Sequence, residues 1–96
     1  MSAIQNHDPH LVISNGSIAN TGDLIIAMIT SQPRTDGVNI ELTSADVDIS
    51  LPKKSFVRCH RLATIDETIV TKKFATVKVD FLKNVLKGIQ SLIEVI

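Results

Sequence analysis

The chain has 96 residues, 44% of them hydrophobic, and its ten basic residues balance ten acidic ones. That length suits one domain burying roughly 60–70% of its unfolded surface, and the composition excludes both disorder and a bulk field that would draw the chain to nucleic acid or membrane. One cysteine, Cys59, excludes an internal disulfide and a cysteine-based zinc motif, while three Phe with no Trp or Tyr exclude an RNA surface of stacked aromatics.

The N-terminus, MSAIQNHDPH, lacks the charged-then-apolar pattern of a signal peptide, so a soluble cytoplasmic chain without membrane contact is expected. Met1 to Pro9 reads as polar and loose. His10 to Ser14 is a short β-branched strand, followed by turns at Asn15-Gly16-Ser17 and Ala19 to Gly22. Leu24 to Ile29 is an unbroken apolar run between turn signals. It is too short for a membrane span or a typical helix, and it reads as a strand buried on both faces. Leu24, Ile26, Met28 and Thr30 share one face of it; Ile25, Ala27 and Ile29 share the other. Two hydroxyls, Thr30 and Ser31, end this strand. They either satisfy turn backbone or carry chemistry from a rigid support.

Gln32 to Gly37 is a polar loop, and Val38 to Leu42 alternates as a half-buried strand. Thr43 to Ile49 gives a weaker signal, and Leu51 to Ser55 is a basic loop. Phe56 to Arg61 resumes a strand that runs on through Ile65, with Val57 and Cys59 facing one way and Phe56, Arg58 and His60 the other. Asp66-Glu67 turns the chain, and Phe74 to Val79 is the last strand. From Asp80 the period changes: Leu82, Val85, Leu86, Ile89, Leu92, Ile93 and Ile96 form one helical stripe, with Asp80 as N-cap. The expected fold is mainly β with a C-terminal helix, a partly closed antiparallel barrel of five or six short strands.

Three stretches together resemble the MazF/PemK toxins of toxin–antitoxin systems: Pro9 to Asn15, the strand end Ile26 to Ser31, and Leu51 to Asp66 with its Leu-Pro and Thr-Ile-Asp. The likeness runs from about Asp8 to the end. It implies an SH3-like barrel that forms a homodimer and is silenced by a cognate antitoxin. It also implies metal-independent cleavage of single-stranded RNA, with no cofactor. Such cleavage needs a base for the 2′-hydroxyl, stabilisation of charge on the phosphorane, and a proton for the leaving 5′-oxygen. The family's Thr maps to Thr30, the catalytic candidate. Its Arg before the Pro maps to Asp8, a carboxylate that repels phosphate, so the chain is expected to cleave poorly.

Ser31, Arg34, Lys53, Lys54, Arg58 and Arg61 are the RNA-binding candidates, set against a plain solvated surface. His7 and His10 read as an acid–base pair or as metal ligands, against the commoner case of an incidental His-x-x-His near a loose terminus. Only eight residues precede Pro9, so the family's first strand and loop are expected to be missing from this single domain. The alternative function is a truncated, non-enzymatic member that binds an antitoxin or dimerises.

Overall fold

The computed structural model describes residues 2–5, 9–51 and 53–95, with side chains from residue 9 onward. His7, Asp8, Pro52 and Ile96 lie outside the described residues, and with them the expectations placed on His7 and on Asp8.

Six strands form one antiparallel sheet: β1 (Ser2–Gln5), β2 (Pro9–Val12), β3 (Asp23–Thr30), β4 (Asn39–Leu42), β5 (Ser55–Asp66) and β6 (Lys72–Thr76). Their order across the sheet is β4-β5-β3-β2-β1-β6. An α-helix, α1 (Val79–Leu92), follows. The sheet does not close on itself, yet its two ends are brought together. Val47, past β4, bridges Val77, past β6. Asp48 N–H donates to the Thr76 carbonyl at 3.1 Å, and Lys78 N–H to the Asp46 carbonyl at 2.8 Å. The result is the partly open barrel that the strand spacing predicts.

β3 is the centre of this arrangement, paired along its length with β5 and at its middle with β2. Ala27 and Ile29 enter the main core with Leu11, Val57, Cys59 and Val85; Ile26 joins a smaller cluster with Val12 on the opposite face. Burial on both faces therefore holds for Ile26, Ala27 and Ile29, with Met28 half-buried, while Ile25 is exposed.

Two expectations are corrected. Ser2–Gln5 is not loose: it forms β1, an interior strand paired with β2 on one side and β6 on the other. The helix begins at Val79 with Lys78 at the N-cap position, and Asp80 falls inside its first turn. There Asp80 still faces the positive end of the helix dipole.

The apolar stripe of α1 is also divided. Phe81, Val85 and Ile89, spaced four apart, are buried against the sheet. Leu86, Leu92 and Ile93 are exposed, as is Val79. Gly88 has a packing reason. A Cβ there would stand 3.0 Å from Cys59 Sγ and 3.3 Å from Ile40 Cδ1, so its absence lets α1 lie close on β5 and β4. Burial pushes the Cys59 thiol up, leaving it an inert core residue. Among the described residues, no helix is long and apolar enough to cross a membrane.

Candidate functional site

The site is set by a break in strand register. Along β3 and β5, Ala27 pairs with Leu62 but Met28 pairs with Arg58. Cys59, His60 and Arg61 therefore have no partner on β3. A bulge of this kind bends its strand and re-aims side chains, which is why bulges recur beside functional sites. Here it turns Cys59 inward and sets His60 and Arg61 on the exposed rim.

Next to the bulge lies a cleft of about 290 Å³, lined by Met28, Ile29, Thr30, Arg34, Arg58 and Arg61. The cross-strand row His10–Met28–Arg58 leads into it, two residues before Thr30 on the same face of β3. Thr30 Oγ1 accepts the Gln32 N–H at 3.1 Å. The turn-satisfying role is therefore real, and it leaves the hydroxyl proton available to donate.

Arg58 is the best-fixed cation of the set. Its residue is 9% exposed. Nη2 donates to Asp36 Oδ2 at 2.9 Å. It also lies 3.0 Å from His60 Nε2. An arginine N–H can only donate, so His60 Nε2 is the acceptor. Arg58 Nε is buried with no hydrogen-bond partner among the described residues. Leaving such a donor unmet costs about 1–3 kcal/mol.

The β3–β4 loop is stapled over this side of β5. Asn39 Nδ2 donates to the Asp36 carbonyl at 2.7 Å. Gly37 takes a φ of +69°, where an added Cβ would collide with the His60 ring, so only glycine lets the loop sit against the imidazole. The Arg58 hydrogen bond holds the Asp36 carboxyl below the usual carboxylate range. Asp36 is thus ionised at neutral pH, and the ion pair stands.

The fold brings Thr30, Arg34, Arg58 and Arg61 together, three cations against the single Asp36 carboxylate. Ser31 is exposed at the bend just past Thr30. Lys53 and Lys54 do not line this cleft. They border a second groove of about 280 Å³ with Glu41, Leu42, Thr43, Ser44 and Leu51. Sequence reasoning did not single out Asp36 as a partner, because it lies 22 residues from Arg58. Its mark in the sequence is the Asp36-Gly37 pair, a turn signal within the polar loop.

A family model described as a PemK-like, MazF-like toxin of type II toxin–antitoxin systems matches residues 2–93. The chain belongs to the PemK/MazF toxin family. Solved members of similar shape include the Mycobacterium tuberculosis toxin MazF-mt6, at 15% identity and a TM-score of 0.74, covering 94% of this chain and 91% of that one. A MazE–MazF structure from Deinococcus radiodurans aligns at 20% identity and a TM-score of 0.75, covering 95% and 89%. A mycobacterial endoribonuclease in complex with its cognate antitoxin aligns at 15% identity and a TM-score of 0.75, covering 94% and 86%. At such identities these neighbours show the MazF-like fold. Comparison with curated protein sequences gives no match.

Proposed function

We propose that this PemK/MazF chain is a metal-independent endoribonuclease acting on single-stranded RNA in the cytoplasm and silenced by an antitoxin. The observation that carries this reading is one cleft holding Thr30 with Arg34, Arg58 and Arg61, in a chain whose net charge is zero. Cations concentrated at one place in a neutral chain point to an anionic ligand bound there.

In this reading the 2′-hydroxyl attacks phosphorus, forming a 2′,3′-cyclic phosphate and expelling the 5′-oxygen. The Thr30 hydroxyl donates to a phosphoryl oxygen. The guanidinium groups offset the charge that builds on the phosphorane; Arg58 is the best placed, because a cation with little water around it acts most strongly. His10, paired with Met28 across the strands, and His60, against Arg58, supply the ring nitrogens that take the 2′-hydroxyl proton and return one to the leaving 5′-oxygen. Ser31 extends the hydroxyl edge of the cleft. Lys53 and Lys54 sit in the neighbouring groove, where they hold the flanking RNA backbone. The working form is a homodimer, and the exposed apolar side of α1 at Val79, Leu86 and Ile93 is a surface that association would cover.

The test is a short single-stranded RNA incubated with the full chain in EDTA. Slow cleavage that leaves a 2′,3′-cyclic phosphate and a 5′-hydroxyl is the expected result. Products bearing a 5′-phosphate, or cleavage that appears only on adding a divalent metal, would refute it.

A further inference from the structure

We propose that Asp36 is a built-in competitor for the phosphate site: its carboxylate occupies Arg58 at rest, and an incoming RNA phosphodiester must displace it. The substrate class in this proposal rests on the ribonuclease reading above; the competition itself rests on geometry.

A guanidinium presents Nε and Nη2 along one edge, spaced to meet two oxygens of a phosphate or carboxylate. On Arg58 that edge is half used. Asp36 Oδ2 takes Nη2 at 2.9 Å, while Nε on the same edge is buried without a partner. Asp36 therefore holds the site incompletely, as a monodentate ligand where a bidentate one fits. The carboxylate comes from an exposed loop and is itself 69% exposed, whereas the Arg58 side chain is 10% exposed. The cation is fixed by β5 and the anion is the member free to leave. The loop has a second hold that does not involve the carboxylate, Asn39 Nδ2 on the Asp36 carbonyl. Losing the ion pair thus does not require unfolding the loop. Once Asp36 swings away, Nη2 is released beside Arg34, Arg61 and Thr30, and the buried Nε on the same edge is the second donor that a phosphate seated on Nη2 would take up.

An ion pair with so exposed a carboxylate is weak, so its effect on apparent affinity is a modest factor, roughly three- to tenfold. The experiment follows the Arg58 Nε–Hε signal of the isotope-labelled full chain by NMR while inorganic phosphate is added, for the unmodified chain and for Asp36→Asn. Half-saturation of Asp36→Asn at roughly three- to tenfold lower phosphate is expected. No difference, a higher midpoint, or an Arg58 signal that never responds would overturn the proposal.

A parallel arm measures anisotropy of a short single-stranded RNA. Asp36→Asn is expected to tighten binding by a similar factor, and to give no gain in an Arg58→Gln background. A gain that persists without Arg58 would reduce Asp36 to a general surface charge and overturn the proposal. A phosphate gain with no RNA binding by any variant would uphold the competition at Arg58 and remove RNA as the ligand.

Discussion

Arg58→Ala is expected to lower cleavage of single-stranded RNA by about 10²- to 10³-fold, the loss typical of removing one preorganised donor from a transition-state site. Arg58 shares its cleft with Thr30 and has little water around it, so its charge is poorly screened. It is held by the β3–β5 register and by the contact with His60, so little rearrangement is needed when charge develops on the phosphorane. The loss should fall mainly on kcat, because Arg34 and Arg61 remain to attract the RNA. Arg58→Lys keeps the charge and loses the fork, and it should recover only part of the rate. A melting curve separates this from unfolding: the Asp36 carboxylate released by the substitution is solvent-exposed, so stability should change little. Cleavage by Arg58→Ala at the unmodified rate, with unchanged melting, would remove Arg58 from the site.

Leu11→Ala is expected to cost about 3 kcal/mol and to lower Tm by roughly 12–24 °C. Leu11 is fully buried on β2, in the interior of the sheet. Its cross-strand neighbours are Ala3 on β1 and Ala27 on β3. Ala27, fully buried beside it on β3, is too small to fill the space, so little can collapse into the cavity. By contrast Ile93→Ala, at a position 73% exposed at the end of α1, should stay within about 0.5 kcal/mol. Thermal denaturation of both variants checks the contrast. A Leu11→Ala loss no larger than that of Ile93→Ala would mean that the core is not centred where β1, β2 and β3 meet.

Sequence patterns resolved those elements whose side chains repeat at the period of their own backbone. The apolar run of β3, the alternation of β4 and the period change into α1 all belong to this class. β1 escaped because Ser2-Ala3-Ile4-Gln5 has no run to detect; its strand geometry comes from pairing with β2 and β6, sixty and more residues apart in the case of β6. The rotation of α1 was half legible. Its sequence shows a wide apolar face, but packing against Cys59 and Ile40 at Gly88 selects the edge of Phe81, Val85 and Ile89 for the core. The site divides in the same way. Thr30 could be placed from the end of its strand. That Arg58 and Arg61 meet it from the two sides of the β5 bulge, with Arg34 from the β3–β4 loop, while Lys53 and Lys54 ahead of β5 line another groove, is a long-range arrangement with no local signature. The Asp36–Arg58 contact is of the same non-local kind.

Binding of RNA in the Thr30–Arg58 cleft is tested most directly by NMR mapping with an intact bound ligand. A short single-stranded RNA with a 2′-deoxy sugar at the scissile position cannot supply the attacking hydroxyl and stays uncut during the titration. The largest shifts are expected at Met28, Thr30, Arg34, Arg58 and Arg61, with smaller ones at Lys53 and Lys54 as the strand runs on into the second groove. Shifts confined to α1 or β6, with Thr30 and Arg58 unmoved at saturation, would contradict it.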